Sequence, residues 1–266
     1  MGSFALVPLR GRPLLRLQVL RSERVAPHYQ RVTVGGDAIT GFTASGWGQW
    51  LRLVLPSANP SSLDDLPDRV TPLQRLRYLT LDRDERPVLR DYAVRRFRPI
   101  GRQGPELDID FVLHGTDAPA SAWAQSCGPG DRLAAVDEGQ AFDRSRGSDH
   151  VLLVADETGV PTVAGVLASL PEDATGTAVL EVPSIDDAGE LDHPPGVELV
   201  WLSRDEDDPP GRVALETAET VVFDRSRVHA FVAGEQSLAR RLRRHLLSRE
   251  VPRVRISAAG YWRRAR

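Results

Sequence analysis

Lysine is missing from this 266-residue chain, so all 34 of its Lys+Arg positions are arginine. That excludes a phosphate-loop lysine, a Schiff base and a lysine general base. Cysteine occurs once, as Cys127, which excludes disulfides, an all-cysteine zinc site and a cysteine-ligated iron–sulfur cluster within one chain. No window approaches the ~18 apolar residues of a membrane helix. Residues 1–20 scatter Arg10, Arg12 and Arg16 among apolar positions. They lack the unbroken apolar stretch and small-residue cleavage site of a signal peptide. A soluble, cytoplasmic protein with no membrane partner is expected. The net charge of -3 supplies no field for nucleic acid, so no nucleic-acid partner is expected. The fingerprints G-x-G-x-x-G, H-E-x-x-H and G-x-S-x-G are absent, and the six histidines show no metal-ligand spacing, so no resident metal is expected.

What is present is globular: 41% hydrophobic and 27% charged residues, in a length that fits one large domain or two ordinary ones. The first half alternates apolar and polar residues at 15–19, 31–34, 51–55, 90–97, 107–113 and 132–136. Six alternating runs separated by Gly, Pro and Asp turns predict a small six-stranded antiparallel barrel or sandwich. Residues 56–72, rich in Ser, Asp and Pro, read as a surface loop. After about residue 145 the pattern changes. Residues 151–155 form a continuous apolar run, as a strand covered on both faces requires. Residues 160–170 follow with helical spacing and a proline in the first turn. Further apolar strands read at 179–182, 197–202, 220–223 and 230–233, and a helix between 234 and 251 places Arg240, Arg241, Arg243 and Arg244 opposite its leucines. Strands alternating with helices predict a parallel sheet. The expectation is therefore a barrel over 1–145 and an α/β domain over 146–266.

Four stretches carry candidate chemistry. In Arg90-Asp91-Tyr92-Ala93-Val94-Arg95, alternation sets Arg90, Tyr92 and Val94 on one strand face, a guanidinium beside an aromatic plane. The same pair also fits plain cross-strand packing. Asp110-Phe111-Val112-Leu113-His114 ends a strand, and a helix reads as starting at Ala118-Pro119-Ala120-Ser121, where backbone N–H groups suit a diphosphate or an ordinary cap. Ala155-Asp156-Glu157-Thr158-Gly159 lies beyond the carboxyl end of the first α/β strand, where open sheets bind ligands. Ala233-Gly234-Glu235 and the closing Gly260-Tyr261-Trp262-Arg263-Arg264 either cover a planar ligand or anchor the tail.

In combination and order, these stretches resemble the siderophore-interacting protein family, flavin-dependent ferric-siderophore reductases of the ferredoxin-reductase-like superfamily. The resemblance runs from Leu15 to Arg264 and includes Asp108-Ile109-Asp110-Phe111-Val112-Leu113-His114-Gly115 and Pro119-Ala120-Ser121-Ala122-Trp123-Ala124. It implies an FAD-binding barrel, a nicotinamide-binding α/β domain fed by NADPH or NADH, and a ferric siderophore as substrate for a monomer. Arg90 would hold the FAD diphosphate, with Asp91, Tyr92 and Ala93 beside it and Tyr92 along the flavin ring. The backbone of Asp110, Phe111, Val112 and His114 would meet the ring edge. Ala118, Pro119, Ala120 and Ser121 would donate to the phosphates, with Thr158 nearby and Tyr261 and Trp262 covering the ring. Asp156, Glu157, Gly234 and Glu235 would hold the nicotinamide, and Arg52 and Arg263 would attract the substrate. Nicotinamide choice would depend on Glu181, the 184–187 stretch and Arg204.

The chain departs from the family at Ala93, where a Ser or Thr hydroxyl is usual. It departs again at Ala118 and Ala155, each replacing glycine, and at Asp137-Glu138-Gly139-Gln140, replacing a Gly-Pro-x-Gly turn. These changes motivate an alternative expectation: a member with lost or altered flavin chemistry that binds a siderophore or acts on another natural product.

Overall fold

The computed structural model describes residues 12–57, 59–64, 66–69, 82, 86–114, 118–142 and 150–264. Two compact units divide at Gly139/Gln140, and Gly46–Gly48 groups with the second. The expected boundary at 145/146 and Gly115 fall outside the described residues.

The first unit holds seven antiparallel strands: β1 (Leu15–Ala26), β2 (Tyr29–Gly35), β3 (Trp50–Leu55), β4 (Val88–Ala93), β5 (Arg96–Gly101), β6 (Gly104–Val112) and β7 (Arg132–Gly139). The count is seven and not six because the 90–97 run breaks at Val94-Arg95. In sheet order β4-β3-β7-β1-β2-β6-β5, these two residues join the two edge strands. Extended chain advances at most about 3.6 Å per residue, so so short a link forces the edges together. Val94 N–H donates to the Gln49 carbonyl at 2.8 Å and Arg95 N–H to the Asp108 carbonyl at 2.9 Å, one bond toward each flank. The sheet therefore curls into a barrel. Its interior is the period-two face of each strand: Leu17 and Val19, Val32 and Val34, Leu51, Leu53 and Leu55, Leu107, Ile109 and Phe111, Leu133 and Ala135. Helix α1 (Pro119–Ser126) adds Ala120 and Ala124 to this core. Within the expected 56–72 loop, a single 3-10 turn spans Pro60–Leu63, capped by the Asn59 side chain.

The alternate face of β6 is acidic, and arginines cover it. Arg98 donates to both Asp108 oxygens at 2.5 and 2.6 Å and to Glu106 at 3.0 Å. Arg21 reaches Glu106 at 2.9 Å, and Arg31 grips Asp110 at 2.6 and 2.8 Å. Glu106 is held down to about 2, first by the Arg21 hydrogen bond, against burial, and then by Arg98 and the Arg102 N–H. Burial pushes Asp108 up, but bonds from Arg98 and Thr33 overcome it and leave the carboxyl below its usual range. Bidentate forks of this kind need guanidinium and cannot be made by an ammonium.

The second unit is an all-parallel sheet of β8 (His150–Ala155), β9 (Thr175–Val182), β10 (Gly196–Ser203), β11 (Val228–Glu235) and β12 (Ile256–Trp262), in the order β10-β9-β8-β11-β12. Helix α2 (Val160–Leu167) buries Val160, Val163, Val166 and Leu167 against one face. Helices α3 (Arg212–Thr220) and α4 (Gln236–Ser248) cover the other with Ala214, Leu215, Leu238, Leu242 and Leu246. The structure corrects the expected strand at 220–223. Thr220 ends α3, and Val221 and Phe223 pack on the core as irregular chain while Val222 is 90% exposed. Helix α3 and strand β12 carry weaker signals, since a small-residue helix and a strand reading Ile-Ser-Ala-Ala-Gly offer little apolar contrast. No helix among the described residues is long and apolar enough to cross a membrane.

Removing the Arg98 guanidinium should expose this lattice. Arg98→Ala is expected to lose about 1–3 kcal/mol at pH 7, because hydrogen bonds to charged groups disappear and carboxylates stay buried. The depressed Glu106 value sets the pH sign: its stabilisation is complete above the ordinary carboxylate range and drains away as pH falls toward about 2. Urea unfolding at pH 7 and pH 3 measures both, and a variant melting with wild-type midpoint at pH 7 would contradict the lattice's role.

Candidate functional site

The expected cofactor residues of the first unit converge through an aromatic row. Tyr92 on β4 lies 4.2 Å from Phe111 on β6, and Phe111 lies 5.6 Å from Trp123 on α1, measured between ring centroids. This row sets the end of β4, the end of β6 and the middle of α1 side by side. Phe111 is fully buried, so its side chain belongs to the core and only its backbone is free for a ligand. Burial pushes the Tyr92 phenol up, keeping it a neutral aromatic surface. Arg90 is exposed, and its guanidinium donates to the neighbouring Leu89 carbonyl at 2.8 Å. Ala93 is buried opposite Trp50. His114 is exposed, and its N–H donates to the Ser121 hydroxyl at 3.3 Å. Helix α1 starts at Pro119 behind Ala118, which has no side chain able to cap it.

An exposed guanidinium, an aromatic plane and a helix start without a side-chain cap suit an aromatic dinucleotide: cation and dipole for the diphosphate, ring for the flavin. The remaining charges here are already engaged. Asp110 is held by Arg31, and Asp91 takes Arg52 at 2.9 Å. Arg52 also lies 3.4 Å from Glu138, so this expected substrate cation is flanked by two carboxylates. Sequence reasoning saw Glu138 only as a departure. It is buried 3.6 Å from Arg12, neither oxygen makes a hydrogen bond, and burial pushes it up against the pull of Arg52 and Arg12.

In the second unit the strand order reverses between β8 and β11, and such switch points are where open α/β sheets bind ligands. Asp156 stands there, fully buried. Its Oδ1 accepts Thr158 N–H at 2.9 Å and Thr158 Oγ1 at 2.5 Å. Its Oδ2 accepts Glu235 N–H at 2.6 Å and Trp262 Nε1 at 3.1 Å. Gly234, at φ 142°, is required by this arrangement, because a Cβ there would sit 2.5 Å from the Asp156 carboxyl. Glu235 caps α4 by accepting Ser237 N–H. Tyr261 Oη meets Thr162 Oγ1 at 2.9 Å, and Arg263 is exposed. Burial and then the charge of Glu157 push Asp156 up to about 7.

Glu157 forms a two-pronged pair with Arg204, just past the end of β10, at 2.6 and 2.7 Å. Glu181 is fully buried and accepts Gly211 and Ala214 N–H at 2.6 and 2.9 Å, capping the start of α3. Both Glu181 and Arg204 are thus engaged by other residues of this unit. Nothing in the sequence pairs residues 157 and 204; the parallel registers of β8 with β9 and of β9 with β10 do. Among the described residues no cluster of His, Cys, Asp and Glu could hold a metal.

Comparison with known proteins agrees with this geometry. Residues 18–141 match the siderophore-interacting FAD-binding domain, and residues 148–265 match the siderophore-interacting protein model. The chain belongs to the siderophore-interacting protein family. A siderophore utilization protein from T. fusca is 32% identical, covering 97% of this chain and 96% of its own, with a TM-score of 0.74. The ferric vibriobactin reductase ViuB of Vibrio cholerae is 29% identical, covering 94% of this chain and 89% of its own. The NADPH-dependent ferric-chelate reductase of Escherichia coli is 29% identical over 96% of both. The family's cofactor is FAD, and the barrel residues fit it.

Asp156→Ala is expected to strand the buried Glu235 N–H and the Trp262 indole, costing about 1–3 kcal/mol. Its raised value sets the pH dependence. Between about 4 and about 7 the unfolded chain releases a proton that the folded carboxyl keeps, so this group's contribution falls as pH rises through that window. Denaturant unfolding from pH 4 to 7 should show that slope in the wild type and a flatter one in Asp156→Ala. Equal slopes would remove Asp156 as its source.

Proposed function

We propose that this protein is a cytoplasmic reductase of ferric siderophores, passing electrons from NADPH by way of FAD to chelated Fe(III). The observation that carries the reading is the Tyr92–Phe111–Trp123 row, which brings β4, on which the exposed Arg90 lies, together with the end of β6 and α1. The relatives named as ferric reductases support it. FAD supplies the conversion of a two-electron hydride donor into one-electron transfers. One NADPH thus reduces two ferric ions, giving NADP+, a proton and two Fe(II).

The chain's own residues bind and orient. Arg90 and the first turn of α1 hold the diphosphate, and Tyr92 presents its ring to the flavin. The backbone from Asp110 to His114 meets the ring's polar edge. Asp156 fixes the strand ends that would hold the nicotinamide and keeps Trp262 beside them. Iron needs no protein ligand, because it arrives chelated and is released once Fe(II) is held poorly by hard anionic oxygens.

The purified protein should be yellow, bleach on addition of NADPH under anaerobic conditions, and yield Fe(II) from a ferric siderophore. A colourless protein that takes up no added FAD would overturn the reading. At the departure nearest the flavin, Ala93→Thr restores a hydroxyl. It should tighten FAD binding by about 0.5–1.5 kcal/mol, up to about tenfold. Titration of both apo-proteins with FAD measures this; equal or weaker affinity would mean the strand end has closed around alanine.

A further inference from the structure

Helix α4 carries four clustered arginines, and the structure separates them into two pairs. Arg240 and Arg243, one turn apart, line a cavity of about 150 Å³ with Gln236, Gly260, Trp262 and Arg263. Arg241 and Arg244 do not. All the lining residues lie in the second unit, where α4 packs over the edge strand β12.

Three features distinguish this cavity from a solvated charged face. First, its lining holds three guanidinium groups and no carboxylate. Elsewhere the chain pairs its half-buried arginines closely, as with Arg98, Arg31 and Arg204, whereas here Arg243 is half-buried and Arg240 and Arg263 are exposed. Arg240, Arg243 and Arg263 have no ion pair or hydrogen-bonded side chain among the described residues. Three like charges around one concavity repel one another until an anion enters. Second, the floor is kept bare. Ala258 and Gly260 face the cavity, and a Cβ on Gly260 would come within 3.2 Å of Gln236 Cα, so glycine lets the helix start and strand approach closely. Third, Trp262 forms a wall, and its ring is fixed because its Nε1 is bonded to Asp156.

We propose that the groove between α4 and β12 binds a phosphate group, held by Arg240, Arg243 and Arg263. Guanidinium forks match the oxygen spacing of phosphate and grip it from two sides. The volume decides how much of a ligand enters. Sites enclosing a whole drug-sized molecule occupy about 300–1,000 Å³, so this one takes a compact charged end group and leaves the rest of any larger ligand outside. The phosphate comes either from the free anion or from the 2′-phosphate of NADPH. The second source has a structural motive, since Arg204, the cation past the end of β10, is consumed by Glu157 and Glu181.

The test is calorimetric titration of the FAD-treated protein at low ionic strength with inorganic phosphate, NADP+ and NAD+. Arg240→Ala/Arg243→Ala should weaken phosphate binding by about tenfold or more, the loss of two charge-assisted contacts. Arg241→Ala/Arg244→Ala removes the same charge from the same helix outside the cavity and should leave it unchanged. If the first double variant also weakens NADP+ but not NAD+, the dinucleotide is the source. If phosphate binds without disturbing NADP+, it is the free anion. Wild-type phosphate affinity in Arg240→Ala/Arg243→Ala, or an equal loss in both double variants, overturns the site. FAD uptake is read separately, so a protein that binds phosphate here but no flavin would refute the reductase and leave this site standing.

Discussion

The Asp156 carboxyl holds the ends of three parallel strands in register with one another. It follows β8, accepts the N–H of Glu235 at the end of β11, and takes the indole of Trp262 at the end of β12. A parallel sheet leaves its strand ends to loops, and at a switch point the loops diverge to opposite sides. Without a common acceptor they would splay. Gly234 has given up its side chain to admit this carboxyl, and Glu235, fixed by it, caps α4. The start of α4 is thus tied to this buried acid, while Leu238, Leu242 and Leu246 seat the rest of the helix on the sheet.

Arginine organises the charge. On the barrel, Arg98, Arg21 and Arg31 bind the acids of β6 in forks, so a strand with Glu106, Asp108 and Asp110 on one face can still lie close beneath its neighbours. In the second unit Arg204 performs the same service for Glu157 and Glu181. Among the described residues, Arg240 and Arg243 on the cavity side of α4 have no such partners. The contrast lies in pairing, and composition could not have revealed it, since a lysine-free chain shows arginine everywhere.

Much of the architecture was legible because burial imposes period. Leu107, Ile109 and Phe111 alternate with acids because one face of β6 lines the barrel, and residues 151–155 run apolar because β8 is covered on both sides. The break at Val94-Arg95 leaves only a slight trace, a phase shift of the apolar positions from Tyr92 and Val94 to Phe97, and it is the three-dimensional closure of the sheet that makes those two residues a hinge between edges. Among candidate site residues, Tyr92, the start of α1 and Asp156 could be picked out by their positions at element ends. The engagement of Glu157 by Arg204, and of Arg52 by Asp91 and Glu138, depends on register between distant segments, which local pattern does not encode.

The departures from the family are best judged by what surrounds each one. Ala155 adds a methyl at a fully buried strand end, and the space is supplied by Gly159. A Cβ on Gly159 would lie 2.9 Å from that of Ala155 and 2.5 Å from the Ala233 carbonyl. The substitution is therefore accommodated within the DET turn itself, and Asp156 keeps all its bonds. Ala118 still allows Pro119 to start α1, and the Ala122 N–H reaches the Ala118 carbonyl at 2.9 Å, so the helix begins on schedule. Glu138 is different in kind. It introduces a buried carboxylate whose nearest cations are 3.4 and 3.6 Å away and which makes no hydrogen bond. Burying such a group costs stability unless its pairing is good. Its retention beside Arg52 has one clear electrostatic consequence: with Asp91 on the other flank, the cation's attraction for an anionic ligand is largely cancelled. Of Arg52 and Arg263, which the family resemblance marks for substrate attraction, Arg263 makes no ion pair among the described residues.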